Sequence, residues 1–159
     1  MSGPYKGIRV LELTSTVSGP YAGMMLADQG ADVIKIEPPG IGDLARFMGT
    51  IKDGMGAMFS TLNRNKKCIC LDFKNDEDLE VFFKLVSTAD VVIENYRPGI
   101  VKKLGIDYES LKQIKPDLIY CSISGYGQSG PYKEKKVYDP LIQGTVGIPN
   151  AQSSNSPEL

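Results

Sequence analysis

Residues 7–40 read GIRVLELTSTVSGPYAGMMLADQGADVIKIEPPG. Gly7 to Leu13 is a short apolar, β-rich run. After it, Ser18 or Gly19 can cap a helix, Pro20 suits the first helical turn, and Gly30 closes the helix. A second β-rich run, Ala31 to Glu37, stops at Pro38-Pro39-Gly40. A strand, a helix and a strand in that order predict two parallel strands joined by a crossover helix.

The pattern repeats outward from this unit. KCICLDF (67–73), DVVIENY (90–96) and LIYCSIS (118–124) read as three more strands. NDEDLEVFFKLVSTA (75–89) reads as an amphipathic helix. Leu79, Phe82, Phe83 and Val86 share one stripe of it, and acids crowd its first turn, where the helix dipole favours them. Two shorter helical pieces, GIVKKLG (99–105) and DYESLKQIK (107–115), precede the last strand. The alternation predicts an α/β fold, a mostly parallel sheet with helices on both faces. Ligands of such sheets sit beyond the carboxyl ends of the strands. That places TSTVSGP, EPPG, DFK, ENYRPG and SGYGQSGPY along one rim.

Composition narrows the function classes. The chain has 159 residues, 42% apolar and 23% charged, as expected for one globular domain. Its formal charge of -1 removes the general electrostatic argument for a nucleic-acid partner. No apolar run approaches the roughly 20 residues a membrane span needs, and MSGPYKGIRV has no signal-peptide core. These features predict a cytosolic, cytoplasmic protein with no membrane partner. The absence of histidine argues against a zinc site or a histidine-based triad, so no metal is expected. Cys68 and Cys70 share one face of a strand, where packing as small apolar groups is expected; Cys121 lies apart.

The first strand–helix turn lacks the G-x-G-x-x-G spacing of dinucleotide-binding folds, so Glu37 at the second strand end is weak support for a nicotinamide site. Ser15, Thr16 and Ser18 sit where hydroxyls can meet a phosphate at a helix N-terminus, and equally where they merely cap it. Lys74, Arg97, Lys102, Lys103, Lys133, Lys135 and Lys136 are spread along the rim, which suits a ligand with several phosphates as well as plain solvation. Tyr96 and Tyr138 are placed to flank a flat ring or a thioester, or to pack.

Taken together, GIRVLELT, SGPYAGMMLADQGADVIKIEPPGIGD, LNRNKKCICLDFK, ADVVIENYRPGIVKKLGIDYESL, PDLIYCSISGYGQSGPY and YDPLIQGTVG resemble the N-terminal part of the class III CoA-transferases, in order and spacing from about Tyr5 to Gly147. The family includes formyl-CoA transferase, carnitine CoA-transferase and the α-methylacyl-CoA racemases. The resemblance implies a Rossmann-like large domain, here incomplete. Residues 1–148 would be its CoA-binding part and 149–159 a polar linker or truncated tail. It also implies an interlocked homodimer, with acyl-CoA and a carboxylic acid as substrates. Ser15, Thr16 and Ser18 match the first CoA-contacting loop; Leu71 and Lys74 match the third-strand contacts; Asn95, Tyr96 and Arg97 match the fourth. Lys103 and Leu104 match the basic–apolar pair that follows, Lys136 and Tyr138 match the loop towards the active site, and Pro38 stands where some members have an arginine.

By the same resemblance the reaction passes through an aspartate, which forms a mixed anhydride, then an aspartyl-CoA thioester, then a second anhydride. That aspartate is expected beyond Leu159, so the chain alone is expected to be inactive; Asp139 matches a different position. Tyr138 stands where racemases carry a proton-exchanging histidine. With a phenol pKa of about 10, it favours CoA transfer over racemisation. A CoA- or acyl-CoA-binding module without chemistry, or an α-methylacyl-CoA racemase relative, is the alternative reading.

Overall fold

A computed structural model describes residues 3–153. They fall into two compact units, Met1–Ile123 and Ser124–Leu159. In the first, β1 (Arg9–Leu13), α1 (Ser18–Asp28) and β2 (Asp32–Glu37) form the expected strand–helix–strand unit. A 3₁₀ turn (Leu44–Phe47), a small hairpin of β3 (Ile51–Lys52) and β4 (Met55–Gly56), and α2 (Ala57–Leu62) lead into β5 (Lys67–Cys70). Then come α3 (Asp76–Val86), β6 (Val91–Glu94), α4 (Ile100–Lys103), α5 (Tyr108–Leu111) and β7 (Ile119–Ser122). The second unit contains α6 (Asp139–Thr145) and α7 (Ile148–Ser153).

The five long strands form one parallel sheet in the order β5-β2-β1-β6-β7. Side chains alternate across it, so the central strands β1, β2 and β6 feed two cores. Leu11, Leu13, Ile34, Ile36 and Val92 meet Phe82 and Val86 of α3 together with Ile106 and Leu111 on one face. Val10, Val33 and Ile93 meet Ala27 and Ala31 around α1 on the other. Helices therefore cover both faces, as the strand–helix alternation predicts.

Several local expectations differ from the structure. No side chain caps α1: Val17 occupies the capping position and its carbonyl accepts from Tyr21 N at 2.8 Å. Ser18 is already helical, and Gly19 is drawn against Thr14 so closely that a Cβ there would lie 2.3 Å from the threonine Cβ. Cys68 and Cys70 are exposed rather than packed, because β5 is an outer strand on the flank that α1 leaves uncovered; Cys121, on the other outer strand, is exposed too. The polar stretch from Pro149 continues as α7 to Ser153 instead of leaving regular structure; the rest of that tail, 154–159, lies outside the described residues. Among the described residues no helix is long and apolar enough to cross a membrane.

Candidate functional site

The strand order reverses between β1 and β6, the neighbours from which the chain departs to opposite edges. In an open parallel sheet this switch point opens a crevice at the carboxyl ends of the strands. Its two walls are Thr14–Val17 after β1 and Asn95–Gly99 after β6. Asn95 staples them: Ser15 N donates to Asn95 Oδ1 at 3.0 Å, and Asn95 Nδ2 returns a bond to the Ser15 carbonyl at 2.9 Å. The Ser15 and Thr16 hydroxyls stand 3.2 Å apart beside this staple.

A buried charge cluster supports the first wall. Glu12 of β1 lies directly opposite Lys35 of β2 in register, and Lys35 Nζ contacts Glu12 Oε1 at 3.0 Å, Asp43 Oδ2 at 2.8 Å and the Thr14 carbonyl at 2.7 Å. Lys66 Nζ meets Glu12 Oε2 at 2.7 Å, the Pro20 carbonyl at 2.8 Å and Asn63 Oδ1 at 2.9 Å. Two ammonium groups and two carboxylates thus balance inside the protein as ion pairs, with Glu12 Oε2 and Asp43 Oδ2 meeting their lysines without a hydrogen bond. Burial pulls the Lys66 pKa down against the opposing pull of Glu12. Next to the cluster, Arg46 grips Glu37 through both carboxylate oxygens at 2.7 Å and stacks on Phe59, 3.8 Å from the ring centroid. Burial acts to raise the Glu37 pKa, but Arg46, the Asp43 N–H and the nearby Lys35 charge outweigh it and hold the carboxyl below its ordinary value.

Glu94, the last residue of β6, forms no ion pair among the described residues. Its carboxylate accepts from Tyr96 N at 2.7 Å and from the Ser122 hydroxyl. Burial pushes its pKa up, partly offset by those two donors, and burial together with Glu94 pushes the Tyr96 phenol up as well.

Beside the switch point, over β2, β5 and β6, lies a cleft of about 130 Å³. Ile36, Pro38, Leu71, Phe73, Tyr96 and Leu104 supply apolar walls, and Asp72 and Lys74 a polar lip. Of the residues singled out from sequence, Leu71, Lys74, Tyr96 and Leu104 converge here, while Ser15, Thr16 and Asn95 converge at the switch point. Ser18, Arg97 and Lys103 are exposed on the first turn of α1, the turn before α4 and the last turn of α4. Lys136 and Tyr138 belong to the second unit, where both are exposed. Among the described residues no group of three or more cysteine, histidine or acidic side chains is placed to hold a metal ion. Sequence reading missed Glu12, Lys35, Asp43 and Lys66. A signal was present for two of them: Glu12 and Lys35 interrupt the otherwise apolar stretches VLEL and VIKI at positions that are buried.

The open parallel sheet with helices on both faces is a Rossmann-like α/β frame. A family model for CoA-transferase family III matches residues 5–158, and the chain belongs to that family. It is 44% identical over 146 residues to acetyl-CoA:oxalate CoA-transferase of Acetobacter aceti, covering 92% of this chain and 38% of that protein. To succinate–glutarate CoA-transferase of Agrobacterium fabrum it is 48% identical over 152 residues, with 91% and 38% covered. The crystal structure of a CAIB/BAIF family protein from Brucella suis matches with a TM-score of 0.88 at 47% identity, over 93% of this chain and 40% of that one. The chain spans about 38% of the length of these two curated relatives.

Proposed function

We propose that this chain is the CoA-binding part of a class III CoA-transferase, which moves CoA between an acyl-CoA and a carboxylic acid. The convergence of Leu71, Lys74, Tyr96 and Leu104 on one cleft, next to the stapled switch point, carries this reading. The apolar walls suit the flat adenine, with Tyr96 as its stacking surface. Lys74 at the cleft lip, with Arg97 and Lys103 exposed on the turn before α4 and on its last turn, offers positive charge for the diphosphate and ribose phosphate. The Ser15 and Thr16 hydroxyls then face the pantetheine arm that runs along the crevice.

In this reading the covalent steps use an aspartate beyond Leu159. Its carboxylate attacks the donor thioester carbonyl and expels CoA thiolate, leaving a mixed anhydride. The thiolate, kept near by the residues named here, attacks the aspartyl carbonyl and releases the donor acid. The acceptor carboxylate then attacks the aspartyl-CoA carbonyl and expels CoA thiolate, leaving a second anhydride. The thiolate attacks the acceptor-derived carbonyl of that anhydride, forming the new acyl-CoA and freeing the aspartate carboxylate. A carboxylate suits the carrier role because its anhydride and thioester both remain activated acyl compounds. The homodimer, the cytoplasmic location and the residues Lys136 and Tyr138 of the active-site approach belong to the same proposal.

Calorimetric titration of the full chain with CoA tests it. Arg97→Ala combined with Lys103→Ala is expected to weaken binding about a hundred-fold, since each hydrogen bond to a charged group contributes about 1.5–3 kcal/mol. Unchanged affinity in the double variant would remove the phosphates from this lip. A wild-type chain that takes up no CoA would end the reading itself.

A further inference from the structure

Three non-glycine residues among those described have a positive φ: Thr16 at 71°, Asp53 at 51° and Asn65 at 64°. Aspartate and asparagine tolerate this left-handed region, whereas a β-branched threonine resists it. Thr16 is therefore the position where the surrounding structure must hold the backbone. It lies in the wall that the CoA-binding reading assigns to the ligand.

The hold is visible atom by atom. Thr16 N donates to Asp43 Oδ1 at 2.9 Å, and the same oxygen accepts from Ala45 N at 2.9 Å. Asp43 Oδ2 pairs with Lys35 at 2.8 Å, and Asp43 N donates to Glu37 Oε2 at 2.9 Å, so this carboxylate, 1% exposed, is held on both sides within the buried cluster. Lys35 also binds the Thr14 carbonyl at 2.7 Å. With the Asn95 staple on both backbone groups of Ser15, consecutive polar groups from Thr14 O to Thr16 N are all bound by side chains. The adjacent hydroxyls of Ser15 and Thr16, half-buried and paired with each other, remain for a ligand.

We propose that Asp43, fixed by Lys35, is a positioning residue of the CoA site: it locks Thr16 in the left-handed conformation and so sets the hydroxyl pair at the switch-point crevice. Asp43 touches no ligand; it acts through the loop. The inference rests on the CoA-binding reading of this crevice.

The test is a double-mutant cycle on CoA affinity, read by calorimetric titration of the full chain. Asp43→Ala is expected to weaken CoA binding about ten-fold, because releasing a strained left-handed residue shifts its population by roughly that factor or more. Glycine adopts this conformation without the steric cost. In the Thr16→Gly background, Asp43→Ala should therefore cost only about two- to three-fold. An equal loss in both backgrounds, or no loss in either, overturns the proposal, since a purely structural role does not distinguish them. Should Asp43→Ala fail to fold, Asp43→Asn carries the test, because it keeps an oxygen facing Thr16 N–H. Hydrogen exchange is then expected to show the Thr16 amide still protected and CoA affinity within about three-fold of wild type. Loss of that protection with unchanged affinity overturns the proposal. Wild-type binding with insensitive variants defeats this inference alone, whereas no wild-type binding defeats the CoA reading beneath it.

Discussion

Gly23 shows how a single side chain, or its lack, ties α1 to the charge cluster. In the middle of a helix, replacing glycine with alanine ordinarily stabilises by about 1 kcal/mol. Here the new Cβ would lie 1.9 Å from Glu12 Oε2. That carboxylate is fully buried between Lys35 and Lys66 and cannot swing aside. Gly23→Ala is therefore expected to destabilise by about 2 kcal/mol, the usual cost of overpacking. The midpoint of urea unfolding checks the sign; a gain would mean that Glu12 is free to move.

α3 shows the opposite case, an element whose start is legible in its own letters. Asn75 accepts from Glu77 N at 2.8 Å, and Asp76, Glu77 and Asp78 fill the first turn. Phe82 and Val86, four residues apart, are completely buried against the sheet. Asn75→Ala is expected to cost about 1 kcal/mol, the typical worth of such a cap. It should do so without altering CoA affinity, which titration of the same sample would show. By contrast α1 starts without a side-chain cap, because its first turn is set by the close packing of Gly19 on Thr14.

For the molecule as a whole, two carboxylates pull its pH dependence in opposite directions. Glu37, held below its ordinary value of 4.5, stabilises the fold above that pH, and this contribution is lost as pH falls through its lowered folded pKa. Glu94, raised above 4.5 by burial, does the reverse: its contribution is complete below 4.5 and is lost as pH rises through the raised value. Glu94→Gln keeps an acceptor for Tyr96 N–H and removes the ionisation. Relative to wild type it should be more stable at neutral pH and gain nothing in acid. Denaturant midpoints across that range measure it; a pH-independent difference would show that Glu94 does not titrate with folding.

Hydrophobic period and helix punctuation, both local properties, were enough for the strand–helix alternation, the parallel sheet and the rim formed by the turns at the carboxyl ends of its strands. The ENYRPG turn and the hydroxyl-rich TSTVS turn were recognisable for the same reason, as polar residues placed where buried strands end. Residues 41–66 carry no comparable period, so the 3₁₀ turn, the hairpin and α2 could not be read there. That unread segment delivers Asp43, Arg46 and Lys66 to the back of the rim, next to Glu12 and Lys35. A buried ion cluster depends on charges from strands and turns far apart in the chain meeting at about 3 Å, a distance that no local pattern encodes. The amino-acid order thus dictated where the rim would lie, while folding alone brought together the charges that hold Thr16 in its left-handed conformation.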